Sequence, residues 1–242
     1  LAGAKEGMIV AIQQPEHLPW VGFFNKMSQS GLYVLLDNVQ FKKRYFENRN
    51  RVKTKDGIKW LTVPVVTKSR YTQKINEVVI DNTSSWSKKY KGTIEHAYKK
   101  SPFYQDVGNI IYPCLEKNHD KLVDLNIELI SRLRNYLKIT TPVICASSLG
   151  VDGFKGSDLL LEICLKINAK VYISGPDGIR YLKINDFKSK DINIVYHEFK
   201  HPVYPQQFGD FVPYMSVIDL IANCGTESID IVKNCYRTNL MY

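Results

Sequence analysis

Residues 8–36 read MIVAIQQPEHLPWVGFFNKMSQSGLYVLL. MIVAI (8–12) is a short continuous apolar run, the pattern of a strand buried on both faces. Pro15 and Pro19 then break the chain, a short helix fits residues 20–30, and LYVLL (32–36) is a second buried strand. A strand, a loop, a helix and a strand make a βαβ unit, which implies parallel pairing and a right-handed crossover.

The same alternation recurs further along. Residues 142–146, 171–174 and 192–196 read as strands, and 60–66 and 75–80 as two more. Leu122, Leu125, Leu129, Leu133 and Leu137 recur at steps of three and four, predicting an amphipathic helix of about five turns. Ser84 or Ser85 can cap a helix carrying Trp86, Tyr90, Ile94 and Ala97, which Pro102 ends. Ser157 caps a helix over 158–167, Gly175–Pro176–Asp177–Gly178 is a turn, and helices near 216–223 and 228–236 follow. This order predicts an α/β fold with a largely parallel, Rossmann-like central sheet and flanking helices. Segment 41–59 has no clean period and is expected as a basic loop or irregular hairpin inserted into that frame. No repeat, low-complexity tract or linker divides residues 8–242, which read as a single domain. Residues 1–7, LAGAKEG, read as an expression-tag remnant before a native start at Met8.

The chain has 242 residues, 44% hydrophobic and 24% charged, which are globular and not disordered proportions. No apolar run approaches the ~20 residues that span a bilayer. The net charge of +9 is concentrated: residues 40–59 carry eight basic and two acidic side chains, and residues 88–100 five and one. Each patch implies an anionic partner, or else a solvated lysine-rich surface. The five cysteines are widely and irregularly spaced with no C-x-x-C pair, which fits reduced thiols in a cytosol rather than a disulfide framework.

Four constellations could carry chemistry. Gln13, Gln14, Glu16 and His17 lie in a proline-rigid loop after the first strand, where α/β proteins bind ligands. Asp37 ends the second strand and could act as a base or bind a hydroxyl or amine, or simply cap a turn. The basic segment interleaves Lys42, Lys43, Arg44, Asn48, Arg49, Asn50, Arg51 and Lys53 with Phe41, Tyr45 and Phe46. It suits phosphates, an acidic carrier protein or RNA, but no RNP, KH or zinc-finger signature supports nucleic acid. The Gly150-x-x-Gly153-x-x-Gly156–Ser157 loop, with Lys155, could bind a phosphate, though its spacing is neither the dinucleotide fingerprint nor a P-loop. His201, held extended before Pro202, is the leading general acid/base candidate, with a structural histidine as the alternative. His197 and His201 flank Glu198 in a strand-like stretch, so a shared metal is not expected. Cys224, in Asn-Cys-Gly, reads as a buried residue or a nucleophile.

The segments QQPEHLPWVGFFNK, LLDNVQFKKRYFENRNRVKT, KWLTVPV, the run from Trp86 through SPF, SSLGVDGFKGSDLLLEICLKINAKVYISGPDG and HPVYPQQFGDFVPYMSVIDLIANCG together resemble the WbqC-like family. They cover most of the chain from Met8 to about Gly225. Where similar proteins often carry two aspartates this chain has Asp37–Asn38, and His17 falls at a variable position of the motif. The resemblance implies a bacterial enzyme of O-antigen or related surface-polysaccharide clusters. It suggests a transferase that acylates, for example with glycyl, the amine of a nucleotide-linked amino-dideoxy sugar.

With no ATP-binding signature, the expected donor is a thioester of coenzyme A or of an acidic phosphopantetheinyl carrier protein, with no tightly bound cofactor and no metal. His201 or Asp37 would take the amine proton. Asn50, Gln206 or Asn223 would contact the oxyanion or sugar, with Gln13, Gln14, Gln40, Asn48 and Tyr204 completing the substrate-binding set. Arg49, Arg51, Lys53, Lys155, Gly156 and Ser157 would hold phosphates. All of this expects the Pro-rigid corner, the end of LYVLL and the HPVY stretch to line one pocket. The alternatives are an ATP-dependent ligase or nucleotidyl-type enzyme of the same pathway, and a non-catalytic sugar- or RNA-binding module.

Overall fold

A computed structural model describes residues 7–234. Residues 1–6 of the expected tag remnant, Cys235 and the end of the last expected helix lie outside the described residues. The opening βαβ unit forms as expected: β1 (Met8–Gln13), α1 (Val21–Ser28) and β2 (Leu32–Leu35). Three later strands, β5 (Val143–Cys145), β6 (Ala169–Ser174) and β7 (Asn193–Tyr196), join them in a five-stranded sheet of order β5-β2-β1-β6-β7. Every pairing in it is parallel.

Successive side chains of a strand face opposite ways. Ala11, Tyr33, Leu35 and Ile173 therefore enter one apolar cluster, and Val10, Ile12, Val34 and Tyr172 the other. The first cluster is covered by α1, α3 (Tyr104–Glu116), α4 (Leu122–Tyr136) and α7 (Val217–Cys224), and the second by α5 (Gly156–Lys166) and α6 (Ile184–Lys188). This asymmetry follows from crossover handedness. The chain steps from β1 to β2 to β5 in one direction and then returns past β1 to β6 and β7. Right-handed crossovers in opposite directions place their helices on opposite faces.

The insertion between β2 and β5 contains an antiparallel hairpin, β3 (Arg49–Thr54) and β4 (Gly57–Thr62), together with α2 (Trp86–Tyr98). The basic segment is thus a hairpin. Two expectations need correction. Residues 75–80 form a 3-10 turn and isolated bridges, not a strand, because their N–H groups bond back to the chain leaving β2: Ile75 to Val39 O (2.9 Å) and Asn76 to Asp37 O (3.0 Å). Ser157 does not cap α5. It lies within the helix, and its Oγ accepts from the Lys183 N–H at 3.0 Å. Helix α3, where no element was expected, has Pro113 inside it. Proline removes one N–H and crowds the preceding turn, but Val107, Ile110, Ile111, Cys114 and Leu115 are buried on one side of α3 and hold it helical. The last described helix is α8 (Ser228–Asn234).

Candidate active site at the strand-order reversal

In doubly wound sheets the ligand crevice opens at the carboxyl ends of the two strands where the order reverses. Here those strands are β1 and β6, whose carboxyl ends lead into Gln13 with the proline-rigid loop and into the Ser174–Gly175 corner. The loop is pinned from several sides. Asn126 on α4 donates through Nδ2 to Pro15 O (3.0 Å) and Glu47 O (2.7 Å). Its Oδ1 therefore accepts from His17 Nδ1 (2.8 Å), which fixes the His17 tautomer and leaves Nε2 to accept from the Tyr90 hydroxyl (2.5 Å). Burial pushes the His17 pKa down to about 4. Asn50 on β3 donates to His17 O (3.2 Å) and Leu18 O (2.9 Å). His17 and Asn50 thus act as scaffolding for the loop.

The loop presents Glu16. Its Oε1 accepts from Gln13 Nε2 at 2.7 Å, while Oε2 is shut from solvent without a partner. Burial raises the Glu16 pKa to about 7; the Gln13 bond and the Lys26 charge pull it down, and the Glu47 charge pushes it up. Glu47 is fully buried, and burial raises its pKa too. The Glu47 backbone N–H, the Lys42 charge and the Lys42 backbone N–H lower it in part, yet neither carboxylate oxygen has a well-formed hydrogen bond. Lys26 sits on α1 among Phe23, Phe24 and Met27. Burial brings its pKa down to about 8 against the opposing pull of Glu16, and its ammonium has no hydrogen bond or ion pair among the described residues.

Nearby, His197 Nε2 bonds Asn25 Oδ1 at 2.7 Å, and burial with the Lys26 charge lowers its pKa to about 4. Tyr45 is raised by burial and by the charges of Glu16, Glu47 and Asp177. The result is a set of carboxylate acceptors in which burial holds Glu16 nearer neutral than an exposed carboxyl.

The expected site residues divide between roles. Gln13 joins the acidic set, and Gln14 is half-buried beside it. Asp37 accepts from the Ser147 N–H (2.9 Å) and hydroxyl (2.6 Å), clamping the end of β2 to the turn after β5. His201 has both ring nitrogens engaged: Nε2 accepts from the Tyr214 N–H (3.0 Å), so Nδ1 donates to Pro202 O (2.8 Å). It packs among Trp20, Phe199, Phe211 and Tyr214. Trp20 thus brings the end of the proline-rigid loop to the HPVY stretch, but Asp37 is tied to Ser147 instead.

Tyr204 and Gln206 both donate to the buried Asp219 carboxylate, at 3.0 and 2.6 Å, and Asn223 donates to Asp219 O at 2.7 Å. Arg49 covers the Trp60 ring at 4.0 Å, Arg51 donates to Tyr214 O at 2.9 Å, and Asn48 donates to Val63 O at 2.9 Å. Lys53 is buried and spends its ammonium on Gln206 Oε1 and on the carbonyls of Gly209 and Asp210. The Cys224 thiol is buried and raised to about 11, the wrong direction for a nucleophile. Gln40, Lys155 and Gly156 do meet, in a cleft of about 610 Å³. Sequence reasoning gave no role to Lys26, Glu47 or His197. The available signal was Asn25–Lys26, two polar residues in the middle of VGFFNKMS.

This fold defines a Rossmann-like α/β protein. The chain belongs to the WbqC-like protein family, whose profile matches residues 14–231. It is 33% identical over 229 residues to the uncharacterized protein Rv1507c of Mycobacterium tuberculosis, covering 93% of this chain and 98% of that one. No solved structure matches it. Among the described residues no helix is long and apolar enough to cross a membrane.

Proposed function

We propose that this protein is a cytosolic N-acyltransferase of bacterial surface-polysaccharide biosynthesis, acting on the amine of a nucleotide-linked amino-dideoxy sugar. The donor is a thioester of coenzyme A or of an acidic phosphopantetheinyl carrier protein, and the acyl group includes aminoacyl groups such as glycyl. One observation carries the reading: the carboxylates of Glu16 and Glu47, close to the carboxyl end of β1, hold three buried oxygens without well-formed partners. An ammonium group, with three donors and a positive charge, complements such a set.

Glu16 takes the base role considered for His201 and Asp37. It accepts a proton from the bound ammonium, and the free amine attacks the thioester carbonyl. The C–N bond forms, the attacking nitrogen gives its second proton to solvent as the tetrahedral oxyanion collapses, the C–S bond breaks, and the proton held by Glu16 passes to the departing thiolate. A base with a pKa near the working pH suits both transfers.

The test is mass spectrometry of a nucleotide amino sugar incubated with the protein and a pool of acyl thioesters. The expected product carries one acyl group, and Glu16→Gln lowers its rate by about 10²–10⁴-fold while keeping a cooperative thermal transition. No product with any donor, or a folded Glu16→Gln protein as active as the parent, overturns the reading. Pyrophosphate release from ATP and an amino acid would mark a ligase instead.

A further inference from the structure

Beside the carboxylate crevice lies the cleft of about 610 Å³, and nothing in the proposed acyl transfer occupies it. One wall is the chain leaving β2, with Asn38 and Gln40. The other is the glycine-rich stretch between β5 and α5, with Gly153, Phe154, Lys155 and Gly156. Lys74 reaches in from the side and meets Asp152 at 3.3 Å.

Three features give the cleft its chemistry. The first is rigidity: the Asp37 carboxylate takes both the N–H and the hydroxyl of Ser147, locking the two walls together at their roots. The second is the backbone. Gly153 and Gly156 have φ of +97° and +54°, conformations that favour glycine, and a Cβ on either would meet nothing within 4 Å. The space beside both Cα atoms is open, and Lys155 stands between them in the chain. The third is the mixture of groups. Val39, Val151 and the half-exposed Phe154 ring give an apolar surface. Asn38 adds an amide whose Oδ1 is buried without a partner.

Cations and glycine peptide groups suit phosphate oxygens. An apolar surface with a free amide suits a nucleobase, whose edge offers hydrogen bonds and whose face stacks. We infer that this cleft binds a nucleoside diphosphate, with the phosphates on Lys155, Lys74 and the Gly153–Gly156 backbone and the base against Phe154 and Asn38. The inference deepens the nucleotide-sugar reading and rests on it for the ligand class. The geometry favours the pairing. β2 and β1 are adjacent strands, and the Leu36 N–H bonds Gln13 O at 2.8 Å. A nucleotide over the end of β2 therefore directs its sugar toward Glu16 over the end of β1.

Calorimetric titration of the full chain with UDP, GDP, dTDP and ADP in turn, with inorganic pyrophosphate as control, tests the assignment without any turnover. At least one nucleotide is expected to bind about tenfold or more tightly than pyrophosphate. Lys155→Ala and Lys74→Ala should each weaken it by about tenfold, the order expected for a lost charge-assisted hydrogen bond. Asn38→Ala should weaken the nucleotide but not pyrophosphate. Binding that is undetectable at millimolar nucleotide, or unchanged in both lysine variants, overturns the inference. Nucleotide binding without acylation would sink the reaction and keep the cleft. Acylation whose KM ignores Lys155→Ala and Lys74→Ala would do the reverse.

Discussion

Replacing Glu16 with glutamine should make the fold more stable above neutral pH. The Glu16 pKa rises from 4.5 to about 7 in the fold because its carboxyl is enclosed and Glu47 repels it. A raised carboxyl holds its proton more tightly folded than unfolded. Its contribution to stability is therefore fully present below pH 4.5 and is lost as the pH climbs to 7, beyond which the loss is constant. At 1.36 kcal/mol for each tenfold change, that loss is at most about 3 kcal/mol. Glutamine cannot ionise, and its carbonyl oxygen can still accept from Gln13 Nε2. The variant keeps the low-pH stability and escapes the loss. Part of the gain is returned because Lys26 loses the negative charge that supports its protonated state. Thermal unfolding of both proteins at pH 5 and pH 8.5 measures the effect. For a chain of this size each kcal/mol is about 2–4 °C. The difference in midpoint, variant minus parent, should therefore rise by several degrees between the two pH values. Parallel profiles would refute the claim that Glu16 sits in an unfavourable site, and with it the reason for assigning a base there.

Three further outcomes follow from the same contacts. His17 and His197 are neutral in the fold, with pKa values lowered to about 4, so stability is complete above pH 6.5 and should fall as the pH drops from 6.5 toward 4; chemical denaturation at pH 7.5, 5.5 and 4 should show it. His201→Asn should leave acyl transfer within about threefold, because both ring nitrogens are already engaged, while the lost bond to the Tyr214 N–H costs about 1–3 kcal/mol; a loss of 10²-fold in a folded protein would restore it as the base. Lys53→Met should destabilise by about 1–3 kcal/mol by releasing the carbonyls of Gly209 and Asp210, with little effect on nucleotide affinity; a tenfold weaker nucleotide complex would place phosphate at Lys53 after all.

The sheet was legible because each of its strands is a local apolar run, and a strand buried on both faces advertises itself as one. Residues 75–80 have similar composition but become a turn, since the tertiary partners that decide the matter are Val39 and Asp37, far back in the chain. The site was half legible for a related reason. Position in the fold marks the loop after β1 as a ligand loop, so Gln13 and Glu16 were within reach of sequence reasoning. Which polar residue is functional depends on whether its hydrogen-bonding capacity is already spent, and sequence does not record that. His201, Asp37, Lys53, Asn50 and Gln206 all have functional-looking chemistry, and the fold uses each of them to hold another segment in place. Glu16, Glu47 and Lys26 are the opposite case: ionisable groups placed where burial disfavours their charge and left without full partners. Such an arrangement works against the fold, and the ammonium of the proposed substrate is a ligand of the right sign to relieve it.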